Sequence, residues 1–269
     1  MKRTLPLQTF LLEIRYDGLL FGGWQIQEGR RVRTVQAELE KALRGIFHKK
    51  VRVAAAGRTD RGVHAHAQTV SFSVNSNIPD QGLLRALNSA LPDDIRVSRV
   101  WRMREGFNAR FNAISKIYRY VIRNSPEEDV FSRHYCWWVK EPLAVEKMRD
   151  AARPFIGIKD FGTFANEQES YHSCVREVMD ITFTRKGDTL VIAIEATGFL
   201  RKMVRNIVGF LVEVGKGRRP ACDAVKVLRQ KDRSSVGRPA PACGLYLWKV
   251  KYPRKCYVPA DSRGITDKD

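Results

Sequence analysis

Asp60 sits in the stretch VAAAGRTDRGVHAHAQ, residues 53–68, with Arg58 and Arg61 on either side and Gly57 and Gly62 beyond them. Two nearby guanidinium groups hold a carboxylate ionised. An ionised, positioned carboxylate can act as a nucleophile or a base. The glycines permit backbone conformations that other residues resist, which predicts a shaped loop between strands. The same letters also suit a plain polar turn whose aspartate caps a neighbouring backbone group. A second stretch, FNARFNAISKIYRYVIR at 107–123, interleaves Arg110, Lys116, Arg119 and Arg123 with Phe107, Phe111, Tyr118 and Tyr120. Cations bind phosphates and aromatic faces stack on unpaired bases, so this stretch leans toward RNA. For any single tyrosine, packing under a helix is an equal reading. A third stretch, GFLRKMVRNIVGFLVEVGKGRRP at 198–220, places Arg201 and Arg205 one turn apart. They lie roughly opposite a stripe of Met203, Ile207, Phe210 and Val214. They form either a solvated face or, for Arg205, a cation paired with an acid in a cleft. Lys216, Arg218 and Arg219 follow as a basic loop suited to phosphate.

The elements that must position these groups alternate between helix and strand. Residues 9–16 read as a strand ending at a turn on Asp17-Gly18. Residues 34–47 carry Val35, Leu39, Leu43 and Ile46 at helical spacing, with Thr34 as N-cap. Strands are predicted at 51–56, 68–74 and 95–101, with a helix over 80–91 ended by Pro92. Residues 116–123 predict another strand, placing Tyr118 and Tyr120 on one face. A helix is predicted over 144–155. Strands at 176–184 and 189–196 flank the hairpin residues Lys186-Gly187-Asp188. Helices at 199–214 and 221–230 and a strand at 245–251 complete the core. The polar tail from Pro253 reads as loosely ordered. The order suggests two similar α+β halves, without a repeat visible in the letters.

The chain has 269 residues, 43% of them hydrophobic, and a formal net charge of +19. The charge excess is shared between both halves, so it describes a folded basic surface rather than a tail. Such a surface concentrates a polyanion, which ranks nucleic acid first among partners. No apolar run approaches the ~18 residues of a membrane span. The N-terminal stretch breaks at Glu13 and Arg15, which predicts no secretion signal. Five cysteines without a CxxC pair argue against a disulfide framework or zinc site and for a reducing compartment. His64 and His66 alternate but have no second ligand pair, so they read as histidines on a loop or strand edge.

GRTDRGVH closely resembles the central motif of tRNA pseudouridine synthases of the TruA type. YDGLLFGGWQIQ at 16–27 is similar to a segment of the same family. So are TVQAELEKAL, LNSALPDDI, FNARFNAISKIYRY, MVRNIVGFLVEVG, DRSSVGRPAPACGLYL and VKYP, in the family's order. The resemblance spans about residues 10–253. It implies an α+β fold of two similar sandwich halves, 1–106 and 107–269, whose mostly antiparallel sheets join across a central RNA-binding cleft. It implies Asp60 as catalytic nucleophile. Tyr118 would stack on the target uracil, Arg205 would pair with Asp60, and Leu245 would wall the pocket. Arg58 would fill the gap left by the flipped nucleotide or hold its phosphate. It further implies uridine-to-pseudouridine isomerisation at tRNA positions 38, 39 and 40 without metal or cofactor, in a cytoplasmic homodimer. Taking a base out of the stack is required for chemistry at its glycosidic bond.

Several letters depart from the family pattern. Arg61 stands where alanine is common, FNAR replaces FHAR, TFANEQES lacks an arginine some members carry, and SVGRPAPA departs from AGxTAPA. These bear on RNA contacts more than on Asp60, Tyr118 or Arg205. Three rivals remain at this stage: an RNA-binding or chaperone protein without catalysis, a relative acting on other uridines, and a glycosidase or nuclease, which would need a second acid near Asp60.

Overall fold

In the computed structural model, which describes residues 5–29, 31–230 and 232–259, burial alternates residue by residue along the strands. β9 (Thr189–Ala196) shows it most cleanly, with every second side chain buried and its neighbours half-buried. That period of two means one covered face and one open face. The helices take the covered face, and a single large apolar cluster lies beneath them.

The N-terminal half runs β1 (Leu7–Tyr16), α1 (Val35–Phe47), β2 (Ala54–Ala55), β3 (His64–Asn75), α2 (Asp80–Ala90) and β4 (Ile95–Met103). Thr34 caps α1, its side-chain oxygen accepting from the Ala37 N–H at 3.3 Å. The C-terminal half runs β5 (Ser115–Asn124), β6 (Trp137–Val139), α3 (Val145–Ala152), β7 (Gly157–Asp160), β8 (Val175–Lys186), β9, α4 (Met203–Gly215), α5 (Asp223–Gln230) and β10 (Leu245–Lys251). Among the described residues all strands belong to one sheet, in the order β4-β1-β3-β10-β5-β9-β8-β7. β2 adds to β3, and β6 adds to β5.

The strand order exposes the repeat that the letters hide. In the first half β1 is central, antiparallel to β3 and to β4, and β2 pairs antiparallel with β3. In the second half β5 is central, antiparallel to β9 and to β10, and β8 pairs antiparallel with β9. β1, β2, β3 and β4 thus correspond to β5, β8, β9 and β10. The halves meet where β3 and β10 pair in parallel, His64 beside Tyr246 and Ala65 beside Leu247. In this correspondence the loop carrying Asp60, between β2 and β3, occupies the place of the tight hairpin at Gly187.

Four expectations are corrected. The strand expected at 51–56 is only Ala54–Ala55, paired with Ser71 and Val70 of β3. The helix expected over 144–155 ends at Ala152 and tightens into a 3-10 turn at Arg153–Phe155, where Pro154 lacks the N–H a helix needs. The helix expected from 199 starts at Met203, since residues 199–202 form a turn closed by Met203 N–H on the Leu200 carbonyl. Within the tail, residues 253–259 are packed rather than loose. Cys256 and Tyr257 pack on Leu11, Met103, Phe107 and Ala109, and Tyr257 bridges to Met103. Residues 260–269 lie outside the described residues. All five cysteines are free, and no described helix is long and apolar enough to cross a membrane.

Candidate active site

The loop at 57–63 is held by backbone more than by its own side chains. The Val63 N–H donates to the Asp60 carbonyl at 3.1 Å, closing a turn. Gln68 Nε2 donates to the Gly57 carbonyl at 2.7 Å. The YDG…GGW segment braces the loop from below. Trp24 N–H donates to the Thr59 carbonyl at 3.0 Å, and the Tyr16 hydroxyl bonds the Thr59 hydroxyl at 2.8 Å. Burial pushes the Tyr16 phenol up to about 12, so it stays protonated. Gly23 makes the approach possible. It has φ +105, and a Cβ there would stand 2.8 Å from the Thr59 carbonyl oxygen.

Arg205 reaches this loop from the first turn of α4. Its Nε donates to the Ala240 carbonyl at 2.7 Å, and its Nη1 meets Asp60 Oδ2 at 3.4 Å. Gly209, one turn on, lets the helix lie against the chain at 238–240; a Cβ there would be 2.3 Å from the Arg238 carbonyl oxygen. Side-chain exposure is 14% for Arg205 and 27% for Asp60. The guanidinium is therefore anchored and mostly buried, while the carboxylate stays open to a ligand. At 3.4 Å the pair is looser than a tight charge-assisted bond of about 2.8 Å, and it engages one carboxylate oxygen. Among the described residues this is the only salt bridge of Asp60.

Tyr118 is buried on the covered face of β5, edge-on to Phe199 with ring centroids 5.0 Å apart. Burial raises its phenol, and the charge of Asp60 adds to the effect, so it remains neutral. A Cβ at Gly57 would lie 3.9 Å from the Tyr118 hydroxyl, which puts that hydroxyl against the Asp60 loop. Leu245 is buried at the start of β10, opposite Tyr120. Ala242, three residues before it, lies 3.4 Å from where a Cβ on Gly62 would stand. Arg58 is exposed on the lip of the loop. The fold thus gathers Asp60, Arg205 and Tyr118 around one loop, sets Leu245 among the apolar residues beneath, and leaves Arg58 outside.

Some cations lie elsewhere. Arg201 is exposed and pairs with Glu167, the solvated-face reading. The basic loop at 216–219 is largely neutralised within the chain: Lys216 and Arg218 bind Glu141 at 3.1 and 2.7 Å, and Arg219 lies over Phe210. Its expected role in phosphate contact is weakened accordingly. Tyr16, Thr59, Gln68, Phe199 and Ala240 were missed as site residues. The YDG segment was the one available signal for Tyr16.

His64 is in strand β3, not on a loop or edge, and it is buried. Its Nδ1 accepts from the Gly18 N–H at 3.0 Å, and its Nε2 meets the His134 carbonyl at 3.2 Å. A neutral ring with the proton on Nε2 satisfies both. Asp17 Oδ1 is 3.1 Å from Nδ1 but already accepts from the Leu19 N–H. Burial lowers the His64 pKa, with the Asp17 charge partly opposing. A folded-state pKa below the ordinary 6.5 contributes stability above that value, and the contribution is lost as pH falls through the folded value. We expect the unfolding temperature to drop between pH 7.5 and 5, and His64→Gln to flatten that drop. An unchanged pH dependence in the variant would assign it to other groups.

Against protein families, the chain matches one described as tRNA pseudouridine synthase, over residues 14–112 and 151–253. The chain belongs to this family. Its relatives include proteins named tRNA pseudouridine synthase A from several bacteria. The one from Geobacillus kaustophilus is 44% identical over 247 residues, covering 91% of this chain and 95% of that protein. The one from Bacillus velezensis is 43% identical over 242 residues, covering 89% and 97%. The one from Pseudothermotoga lettingae is 41% identical over 247 residues, covering 91% of this chain and 100% of that protein.

Proposed function

We propose that this protein isomerises uridine to pseudouridine in the anticodon stem-loop of tRNA, at positions 38, 39 and 40, with Asp60 as nucleophile. The observation that carries the reading is the Asp60–Arg205 pair, in which the cation is buried and anchored while the carboxylate stays accessible. The reaction breaks the N1–C1′ bond, turns the uracil and forms a C5–C1′ bond. N1 gains a proton and C5 loses one, so the balance needs no redox partner or donated group, and the reading includes no cofactor or metal. Asp60 adds to the sugar, adds to the base, or drives a glycal route, and in each case is a free carboxylate again at the end of the cycle. Arg205 holds the carboxylate aimed while it waits. Tyr118 offers an aromatic surface for the flipped uracil, and its neutral phenol adds no charge beside the nucleophile. Leu245 walls the pocket, and Arg58 on the lip meets the backbone of the displaced strand.

In this reading residues 1–106 and 107–269 act as two halves around the cleft, and the working form is a cytoplasmic homodimer that shares one basic surface for tRNA. The net charge of +19 supports a phosphate-tracking surface. Its affinity for tRNA should fall by at least about tenfold between 50 and 200 mM salt; a flat salt response in a binding titration would count against it.

The activity is tested with unmodified tRNA transcripts carrying tritium at C5 of uridine. Forming the C5–C1′ bond releases the label, and mapping the pseudouridines identifies the positions. Release confined to 38–40 is expected. Release at other uridines would correct the target set. Binding without release on any tRNA would leave an RNA-binding protein in place of the enzyme.

A further inference from the structure

Lys116 is a cation in an unusual place. It lies two residues before Tyr118 on β5, and the strand's alternation puts both side chains on the same face. A Cβ at Gly57 would stand 3.9 Å from the Lys116 Cδ, 4.0 Å from its Nζ and 3.9 Å from the Tyr118 hydroxyl. Ammonium and phenol therefore both border the backbone of Gly57, three residues before Asp60.

The groups around this ammonium are cations. Lys116 is opposite Ala196, which is opposite Val178, so Arg176, two residues before Val178 on β8, shares its face; the charges of Arg110, from the loop before β5, and of Arg176 add to burial in lowering the amine. Arg176 also packs against Gly198, where a Cβ would lie 3.5 Å from its Cδ and Nε. Tyr118 on the same strand is held neutral. The nearby acids are engaged elsewhere. Asp60 pairs with Arg205, and Glu195 of β9, opposite Ile117, binds Lys251 and Ser115. Among the described residues Lys116 makes no ion pair or side-chain hydrogen bond. Burial, then the two guanidinium groups, pushes its amine down to about 8. Neighbouring cations without a carboxylate partner repel one another, and such an arrangement is relieved by an anion.

We propose that Lys116, flanked by Arg110 and Arg176, is a phosphate subsite at the mouth of the Asp60 cleft, taking the phosphodiester beside the nucleotide whose base enters against Tyr118. This rests on the proposed function, since it assigns the RNA an orientation at that site. The lysine is the one titrating member of the trio, because arginine stays charged throughout the working range. The phosphodiester is bound by the protonated amine, so RNA binding draws a proton onto Lys116. Binding then weakens as pH rises through the amine's range.

The test compares wild type, Lys116→Arg and Lys116→Gln with an anticodon stem-loop RNA. Affinity is read by fluorescence titration and turnover by tritium release, from pH 7 to 9.5. Titration of the RNA's own bases is common to all three proteins and cancels in the comparison. For wild type, the affinity relative to Lys116→Arg should fall progressively above pH 8 and level off at a total loss of about tenfold, the loss expected for Lys116→Gln. Lys116→Gln should weaken binding about tenfold at pH 7, raising KM with little change in kcat. A stem-loop with an uncharged methylphosphonate on one side of the target uridine should erase the difference between wild type and Lys116→Gln. Coincident pH curves for wild type and Lys116→Arg would overturn the subsite. So would a Lys116→Gln effect that survives methylphosphonate on either side, since the lysine would then serve a different contact. Tritium release by wild type is scored separately, so loss of the enzyme reading would be seen as binding without release and not confused with failure of the subsite. Millimolar inorganic phosphate at constant ionic strength should compete weakly; strong competition would show a free-phosphate site instead.

Discussion

Asp60→Asn should lower the rate of tritium release by at least about 10⁴-fold, the scale of removing a covalent nucleophile, while tRNA binding is kept or tightened. The substitution is nearly isosteric, and the local structure does not depend on the carboxylate. The turn is closed by the Val63 N–H on the Asp60 backbone carbonyl, and the loop is braced through Thr59 and Gly57. Arg205 keeps its bond to the Ala240 carbonyl. Because Asp60 is 27% exposed, its loss leaves the guanidinium short of one partially solvated partner rather than stranded in a dry core. The change in stability should therefore stay within about 1 kcal/mol. Removing one negative charge from a basic cleft favours a polyanion, which predicts equal or higher affinity. The measurements are single-turnover tritium release, a binding titration and thermal unfolding on the same protein. More than a hundredth of wild-type activity in a folded, binding-competent variant would remove Asp60 from the nucleophile's role.

How far the letters carried this site depends on the range of the interaction. Thr34 as a cap, the strand over 116–123 with Tyr118 and Tyr120 together, and the hairpin at Gly187 all follow from neighbours within a few residues, and they appear as read. Asp60 by pattern alone reads as either catalytic or a turn cap, and it is the resemblance of its motif that favours the first. What stayed hidden was set at long range. Arg201 and Arg205 are one turn apart on similar letters, yet one meets Glu167 and the other Asp60. The packing of Gly209 against residues 238–240 and the bond from Arg205 Nε to the Ala240 carbonyl hold the second inward. The loop at 216–219 read as free charge because Glu141, its partner, lies some seventy residues away. His64 read as a loose histidine because the strand's start at residue 64 rests on pairing with Tyr246 near the other end of the chain. The repeat of the two halves is likewise a property of strand order, with no matching letters to announce it.

Arg205→Gln should lower turnover by about 10²- to 10³-fold, and the loss should vanish in a background that already carries Asp60→Asn. The guanidinium has two tasks that one fork performs together. Nε on the Ala240 carbonyl fixes the side chain, and Nη1 on Asp60 Oδ2 aims the carboxylate. Glutamine can make the first bond but carries no charge for the second, so the nucleophile loses both its partner and its orientation. Lysine retains charge but lacks the fork, so Arg205→Lys should recover only part of the rate. A residue that acts through another shows this dependence as non-additivity: the double variant should be no slower than Asp60→Asn alone. Losses that multiplied in the double variant would mean that Arg205 contacts the RNA or supports the fold independently of Asp60. Thermal unfolding distinguishes those two cases, since a structural role lowers the melting temperature of both Arg205 variants while an RNA contact leaves it in place and raises KM.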